Sequence, residues 1–454
     1  MKQNPKPEKA FLSKSTFIRG MQCEKSLYLH KKRPFLRDRL SPEQLAKFTR
    51  GHAVGVYARE LVTGGRDLGA ASPFQMAASI RKTAEAVQRG QVIYEASFQY
   101  QGVRVALDIL HPGAKGWEAV EVKSSRAISD TYLWDASLQY YVIRGSGLDL
   151  NGFSIAHINP DYVRKGELDI HQLFTVVDVM EEVLRNQETV RGKVERFREV
   201  VNLSKSPDIA VGSHCINPYP CDFIGHCWKK HMPTEKEGGG RRELPDRHAL
   251  EAFLKRAAGA GLCFSTLDFS PAIPLFDGTS PYQRIGFSLG WVPAADAVPE
   301  ILQADAGAPF PVSWLRDMLG RLEAAGGLVV FNRARELEVM RNLCEGDVEL
   351  MKRVEALGSR MYDMQELFSP SLKTPWGLSL HDSPEDVLSY LGVPWDRQRD
   401  FAAGRTDAAR LLEEMAVADD PSDKEEKRKA LHAFHSDAVK NLRSLYLWLK
   451  GDHC

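Results

Sequence analysis

The chain is 454 residues long, 43% hydrophobic and 26% charged, an ordinary globular make-up with more residues than one core holds, so two or three domains are expected. Its 60 basic residues balance 60 acidic ones, which excludes attraction to nucleic acid by overall charge and leaves only a local basic patch. No apolar run reaches the roughly 18 residues of a membrane span, and Met1 to Lys9 lacks the apolar core of a secretory signal, so a cytoplasmic protein with no membrane partner is expected.

Leu12 to Tyr28 opens with Ser/Thr cap candidates and continues as a short amphipathic helix carrying Cys23. Leu40-Ser41-Pro42-Glu43 starts a second helix, with Ser as cap and Pro in the first turn, which runs to Leu61 and carries His52. A lone histidine there is more often a packed structural residue than a ligand. Ser72 to Arg89 reads as a third helix, and Tyr94 to Phe98 as a strand carrying Glu95.

Two apolar, largely β-branched runs follow, Gly102 to Leu110 and Trp117 to Ser125, on either side of a Gly-containing turn at His111 to Gly116. Alternation puts Glu121 and Lys123 on one face of the sheet, where Asp108 from the preceding strand can meet them. A lone Glu-x-Lys is usually a cross-strand salt bridge. Two carboxylates and a lysine on one face also suit a hard divalent cation with a water oriented beside it. Asp135 to Tyr141, with Gln139, reads as the next helix. A strand at Gly152 to Asn159 follows, then a strand-like start and a long charged helix over Leu168 to Phe197.

Seven cysteines are an odd number for a disulfide framework, and clustered cysteines in a cytosolic chain more often bind metal. Cys215, Cys221 and Cys227 lie at Cys-x5-Cys spacings in a Pro/Gly-rich loop, wider than the roughly two to four residues of a zinc finger. With Cys23 they make four thiolates, the complement of an iron–sulfur cluster. His214 and His226 keep structural zinc as an alternative. Cys263, Cys344 and Cys454 stand alone as core or surface thiols. Residues 234–246 are polar and Gly-rich, the best linker in the chain.

In the second half Cys263 to Ser270 reads as a strand, Ile285 to Val292 as another, and Gly326 to Asn332 as a strand entering a helix at Ala334. Glu414 to Lys429 is a charged, solvated helix face or a mobile stretch, and Ala433 to Lys450 a closing amphipathic helix.

The set Asp108, Glu121-Val122-Lys123 and Gln139 resembles the PD-(D/E)xK nuclease signature in its RecB-like form, with the helix motif shortened to Gln139-Tyr140-Tyr141. The resemblance implies an α/β fold over residues 1–233: a restriction-endonuclease-like core with a helical N-terminal part. It also implies Mg²⁺ or Mn²⁺ on Asp108, Glu121 and the Val122 carbonyl, with His52 as a further metal ligand. Lys123 would position the attacking water and help to deprotonate it. Glu95 would support the ligands, and Gln139 and Tyr141 would hold the lysine or the backbone phosphate. The arrangement of Cys23, Cys215, Cys221 and Cys227 resembles that of the iron–sulfur RecB-like nucleases, including the CRISPR-associated adaptation nucleases. This implies a 4Fe–4S cluster that pins the two ends of the domain.

Residues 247–454 resemble the C-terminal region fused to such nucleases in an uncharacterised bacterial family. They look like an RNase H-like, DEDD-type exonuclease domain, carried by Pro271 to Gln283 with Asp363 and Asp437 at later acidic positions. Asp268 is kept, but Ser270 stands where a glutamate belongs, and two-metal cleavage needs that carboxylate. An inactive domain is expected, with His432 a helix-surface residue rather than a catalytic remnant. The resemblance as a whole implies a metal-dependent deoxyribonuclease, an exonuclease on single-stranded DNA, with protein partners in repair, CRISPR-type processing or phage defence. The alternative is a non-catalytic nucleic-acid-binding or scaffold subunit, and RNA stays open as a substrate.

Overall fold

The computed structural model describes residues 11–38, 51–229, 245–292, 297–304, 312–344, 346–368, 383–391, 393–395 and 420–451, with isolated positions between 408 and 415. The chain divides into two compact units, Met1–His231 and Met232–Cys454. The expected linker at 234–246 lies almost wholly outside the described residues.

The first unit opens with a short strand β1 (Leu12–Ser13) feeding α1 (Lys14–Gln22), whose cap is a reciprocal box between Ser13 and Thr16. The expected single helix through Tyr28 is two. Cys23 adopts an extended conformation between α1 and α2 (Glu24–Lys32), so it sits at a break and not within a helix. The helix carrying His52 is described only over 51–58, as α3; its expected start at Leu40 lies outside the described residues. Then come β2 (Arg66–Asp67) and α4 (Met76–Gln88).

The hairpin forms as its pattern predicts. β3 (Ile93–Tyr100), β4 (Val103–Gly113) and β5 (Gly116–Lys123) are consecutive antiparallel strands, and the turn between β4 and β5 shrinks to Ala114–Lys115. α5 (Asp130–Gly145) crosses to β6 (Leu150–Ile158), which pairs parallel with β5. A short α6 (Ile170–Leu173) and β7 (Phe174–Asp178) complete a sheet of order β2-β3-β4-β5-β6-β7, with β1 pairing parallel to β4. The expected long helix is broken at Asn186 into α7 (Met180–Arg185) and α8 (Gln187–Asn202); α9 (Ile224–Trp228) follows.

α5 covers β3, β4 and β6, while α1 packs on both α5 and α8. The α1/α8 approach is close: Phe17 and Phe197, both fully buried, meet edge to face at 5.4 Å. A Cβ at Gly20 would stand 2.8 Å from the Phe197 ring, so only glycine lets α1 lie this deep. The depth matters, because α1 carries a site residue at its start and ends beside Cys23.

The second unit contains α10 (Arg247–Arg256), β8 (Leu262–Phe269), β9 (Ile285–Val292), β10 (Glu300–Gln303), α11 (Val312–Ala324), β11 (Leu328–Val330), α12 (Arg333–Asn342), α13 (Val348–Gly358), β12 (Met361–Asp363) and α14 (Pro384–Leu391). It closes on α15 (Pro421–Lys450). Its sheet runs β10-β9-β8-β11-β12, an antiparallel meander continued by two parallel strands. Both faces of β8 and β9 are buried, and the polar Ser265, Thr266, Asp268 and Ser288 are buried with the apolar residues. The charged stretch from 421 onward and the amphipathic stretch after Ala433 form one 30-residue helix. Its buried His435 bonds Ser288 Oγ at 2.6 Å and the Ser265 carbonyl at 3.2 Å, tying the helix to β9 and β8. His432 is exposed on the same helix, as expected.

Candidate functional site

Extending the Ile109↔Val120 register by one residue sets Asp108 opposite Glu121, and the β3/β4 register likewise sets Glu95 opposite Asp108. Opposed residues of antiparallel strands share a face, so three carboxylates stand in a row across β3, β4 and β5. The β3/β4 ladder is interrupted at the Glu95–Asp108 position, where Glu95 takes a φ of 55°. That left-handed conformation is rare for a glutamate in a strand and marks a locally strained row.

Asp108 Oδ2 accepts the Val122 backbone N–H at 2.6 Å. Glu121 is 2% exposed, and its Oε1 accepts two ammoniums, Lys123 at 2.7 Å and Lys14 at 2.9 Å. Lys123 donates also to Asp135 Oδ2 at 2.6 Å and lies 5.1 Å from the centre of the Tyr132 ring. The result is a buried chain, Lys14–Glu121–Lys123–Asp135, between α1, the sheet and α5.

Electrostatics follow from that packing. Burial and the Glu121 carboxylate push Asp108 up to about 7, against the opposing pull of Lys14 and Lys123. Burial alone would raise Glu121 too, but the Lys123 and Lys14 ammoniums hold it well below the usual carboxylate range. Burial raises the Glu95 carboxyl. Burial works against the charge on Lys123, yet Asp135, Glu121 and Asp108 hold its ammonium above the usual lysine range. Lys123 is therefore a firm ammonium, a donor and a positive charge.

Three buried groups in this region have polar atoms with no protein partner: Glu121 Oε2, Asp135 Oδ1, and both amide atoms of the fully buried Gln139. Gln139 lies one turn after Asp135, on the same face of α5. Buried polar atoms are normally satisfied, by protein, water or an ion. Asp108, Glu121 and the Val122 carbonyl thus fit a hard divalent cation, two carboxylates and a carbonyl with water completing the shell. Among the described residues no three His, Cys, Asp or Glu side chains converge on one metal position.

Two expected residues contact other groups. His52 is exposed on α3 and interacts with Asp67, which in turn acts on Glu95; the charges acting most strongly on Asp108 are Glu121, Lys14, Lys123 and Glu95, and those on Glu121 are the two lysines. Tyr141 bonds Gln101 at 2.7 Å and packs edge-on against Tyr100 at the β3/β4 turn, away from Lys123. Gln139 faces the site and Tyr141 does not, because two residues on a helix lie on nearly opposite sides.

Two site residues were missed, Lys14 and Asp135. Asp135 had a signal, since it precedes Gln139 by four residues. Lys14 had a subtler one: it occupies the first turn of a helix with no acid there, where the dipole disfavours a cation.

The four cysteines Cys23, Cys215, Cys221 and Cys227 line one pocket, with His214 and Lys25. All four are free thiols. Burial raises the Cys23 thiol and pushes Cys227 up to about 11, and each is raised further by the other cysteines of the set. The approach is built by α1 and α2. Gln22 donates to the carbonyls of His214 and Tyr219 at 2.9 and 2.7 Å, Arg19 pairs with Asp222 at 2.6 Å, and Lys25 reaches the Ile209 carbonyl. Four thiols lining one pocket match the number taken by a cluster with one thiolate per iron, although no three of them converge on one metal position. His214 shares the pocket and His226 is exposed.

In the second unit Asp268, 3% exposed, is gripped by Arg335 at 2.9 and 2.5 Å and by Arg284 at 2.5 Å. Asp363 caps local backbone, accepting from Asn332, Arg333 and Gln365, and Asp437 pairs with Lys440. These acids are spent on structure.

A family model described as "Domain of unknown function (DUF2779)" matches residues 264–381. A solved structure titled "Crystal structure of SSO0001" is 13% identical and covers 50% of this chain and 89% of its own, with a TM-score of 0.24. None of the curated proteins matches.

Proposed function

We propose that the first unit is a divalent-metal-dependent nuclease of the RecB-like PD-(D/E)xK type, acting on single-stranded DNA. The observation that carries this reading is the row of half-buried Glu95 and Asp108 and buried Glu121, with Lys123 beside it and Glu121 Oε2 left without a protein partner. Asp108, Glu121 and the Val122 carbonyl would hold Mg²⁺ or Mn²⁺. Such an ion supplies an acidified water and neutralises phosphate charge. In the reaction a water oxygen bonds to phosphorus and the bond from phosphorus to the leaving ribose oxygen breaks. The water's proton passes to a neighbouring carboxylate, and the leaving oxygen takes one from solvent. Lys123, fixed by Glu121 and Asp135, places a positive charge where the phosphoryl oxygens gather negative charge.

The four-cysteine pocket supports a structural 4Fe–4S cluster on Cys23, Cys215, Cys221 and Cys227. The meander-plus-parallel sheet of the second unit supports the RNase H-like reading, and the Asp268–arginine clamp supports its inactivity.

The test is cleavage of end-labelled single-stranded DNA, duplex DNA and single-stranded RNA by the anaerobically purified chain with Mn²⁺ and with Mg²⁺. Shortening of single-stranded DNA from an end is the expected result. Binding of DNA with no cleavage under either metal would leave the non-catalytic scaffold reading in its place.

A further inference from the structure

We propose that Lys14 serves as the second cation of this site, so that the site takes one divalent ion and not two. The inference rests on the metal-nuclease reading. Four carboxyl groups, Glu95, Asp108, Glu121 and Asp135, and two ammoniums, Lys14 and Lys123, act on one another here, with no three of the acids on one metal position. Fully ionised, the set carries a deficit of two positive charges, which one divalent ion cancels. A second ion would leave buried positive charge uncompensated, a costly state in a region shielded from water.

Lys14 is built into place. β1 pairs with β4 at Val103 and Arg104, on the same strand that carries Asp108, and the Ser13–Thr16 capping box fixes the first turn of α1 directly after it. The Lys14 side chain is 26% exposed, and its ammonium lies 2.9 Å from Glu121 Oε1. Both lysines load that one oxygen, which leaves Oε2 of a nearly fully buried carboxylate as the atom with no protein partner. Lys14 therefore positions Glu121, presenting Oε2 to a single ion, and puts a fixed positive charge on the same carboxylate.

The experiment counts Mn²⁺ bound to the full-length, cluster-containing protein by EPR of the free ion, without DNA, beside cleavage of single-stranded DNA. Wild type is expected to bind one ion per chain. Lys14→Met is expected to bind two, the second more weakly, and to lose at least about 100-fold in cleavage at Mn²⁺ levels that fill one site. Lys14→Arg, which keeps the charge, is expected to return to one ion, and this separates a charge effect from misfolding of α1. Two ions in wild type, or one ion in both wild type and Lys14→Met, overturns the assignment of Lys14 and leaves the nuclease reading standing. No bound ion in wild type overturns both. One ion with the expected Lys14 pattern but no cleavage overturns the nuclease reading alone.

Discussion

Lys123 and Glu121 lie two residues apart on one strand, yet each depends on a partner far away in the chain. Asp135 from α5 shares the lysine and Lys14 from α1 shares the glutamate. Such pairs are more than surface salt bridges, because the acids are almost without exposed area. The same reasoning applies to Asp268. Removing its charge by Asp268→Asn leaves two guanidiniums facing a neutral amide and should cost about 3 kcal/mol, the low end for a broken buried pair. The low end applies because Arg284 and Arg335 keep 29% and 20% of their surface. Urea unfolding of the full chain measures it, and a cost under about 1 kcal/mol would show that the clamp is weak.

His30 gives a pH prediction. Burial and the nearby charges of Arg19, Lys31 and Arg37 push its imidazole down to about 4. A base with a lowered folded-state pKa binds fewer protons folded than unfolded, so its stabilising effect holds above about 6.5 and fades as the pH falls toward about 4. His30→Phe should therefore lose less melting temperature than wild type across that window. Equal losses in the two proteins would contradict the shift.

At the scale of elements, α1 links two sites. Its first residue touches Glu121 and the residue after its last is Cys23, while Gln22 and Arg19 stitch it to the cysteine loop. Cys23→Ser should accordingly do two things: lower the bound iron, and weaken Mn²⁺ binding at Glu121 through a loosened α1. Iron analysis and a Mn²⁺ titration on the same sample check both. Iron-free protein with unaltered Mn²⁺ affinity would mean that the two sites are independent.

Elements also show what was legible. The β4–β5 hairpin and the shared face of Asp108, Glu121 and Lys123 follow from period-2 alternation, which is a local property. The break at Cys23 was not legible, because both halves of the stretch have helical composition, while the flanking Gln22 and Lys25 bond carbonyls of the distant His214, Tyr219 and Ile209. Lys14 and Asp135 escaped because their ion pairs, across 107 residues and between strand and helix, are tertiary, so the local signals at each residue named no partner. The placement of His52 and Tyr141 came from resemblance alone. The first reaches the acidic row only through Asp67, which acts on Glu95, and the second is turned aside by the helical period.

At the scale of the whole molecule, two units with separate sheets and cores divide the chemistry unequally. The first keeps buried carboxylates with oxygens to offer; the second has committed its acids to arginines and backbone caps. Ser270, where the resemblance expects a glutamate, was visible in the sequence, but the clamp on Asp268 was not, since Arg284 and Arg335 come from beyond the motif. It follows that Ser270→Glu alone should restore no metal-dependent cleavage. Activity in that variant on a Lys123→Ala background would show that Asp268 can still leave its arginines for a metal.

The most direct test of the central claim compares wild type with Lys123→Ala and Lys123→Arg, purified without oxygen. Mn²⁺-dependent shortening of labelled single-stranded DNA is followed beside the cluster's visible absorption. A fall of at least about 100-fold in Lys123→Ala, with the absorption retained, is the expected result, and Lys123→Arg should recover part of the rate because the charge is kept. Cleavage that survives Lys123→Ala undiminished would contradict the account and move the reaction out of the first unit's acidic row.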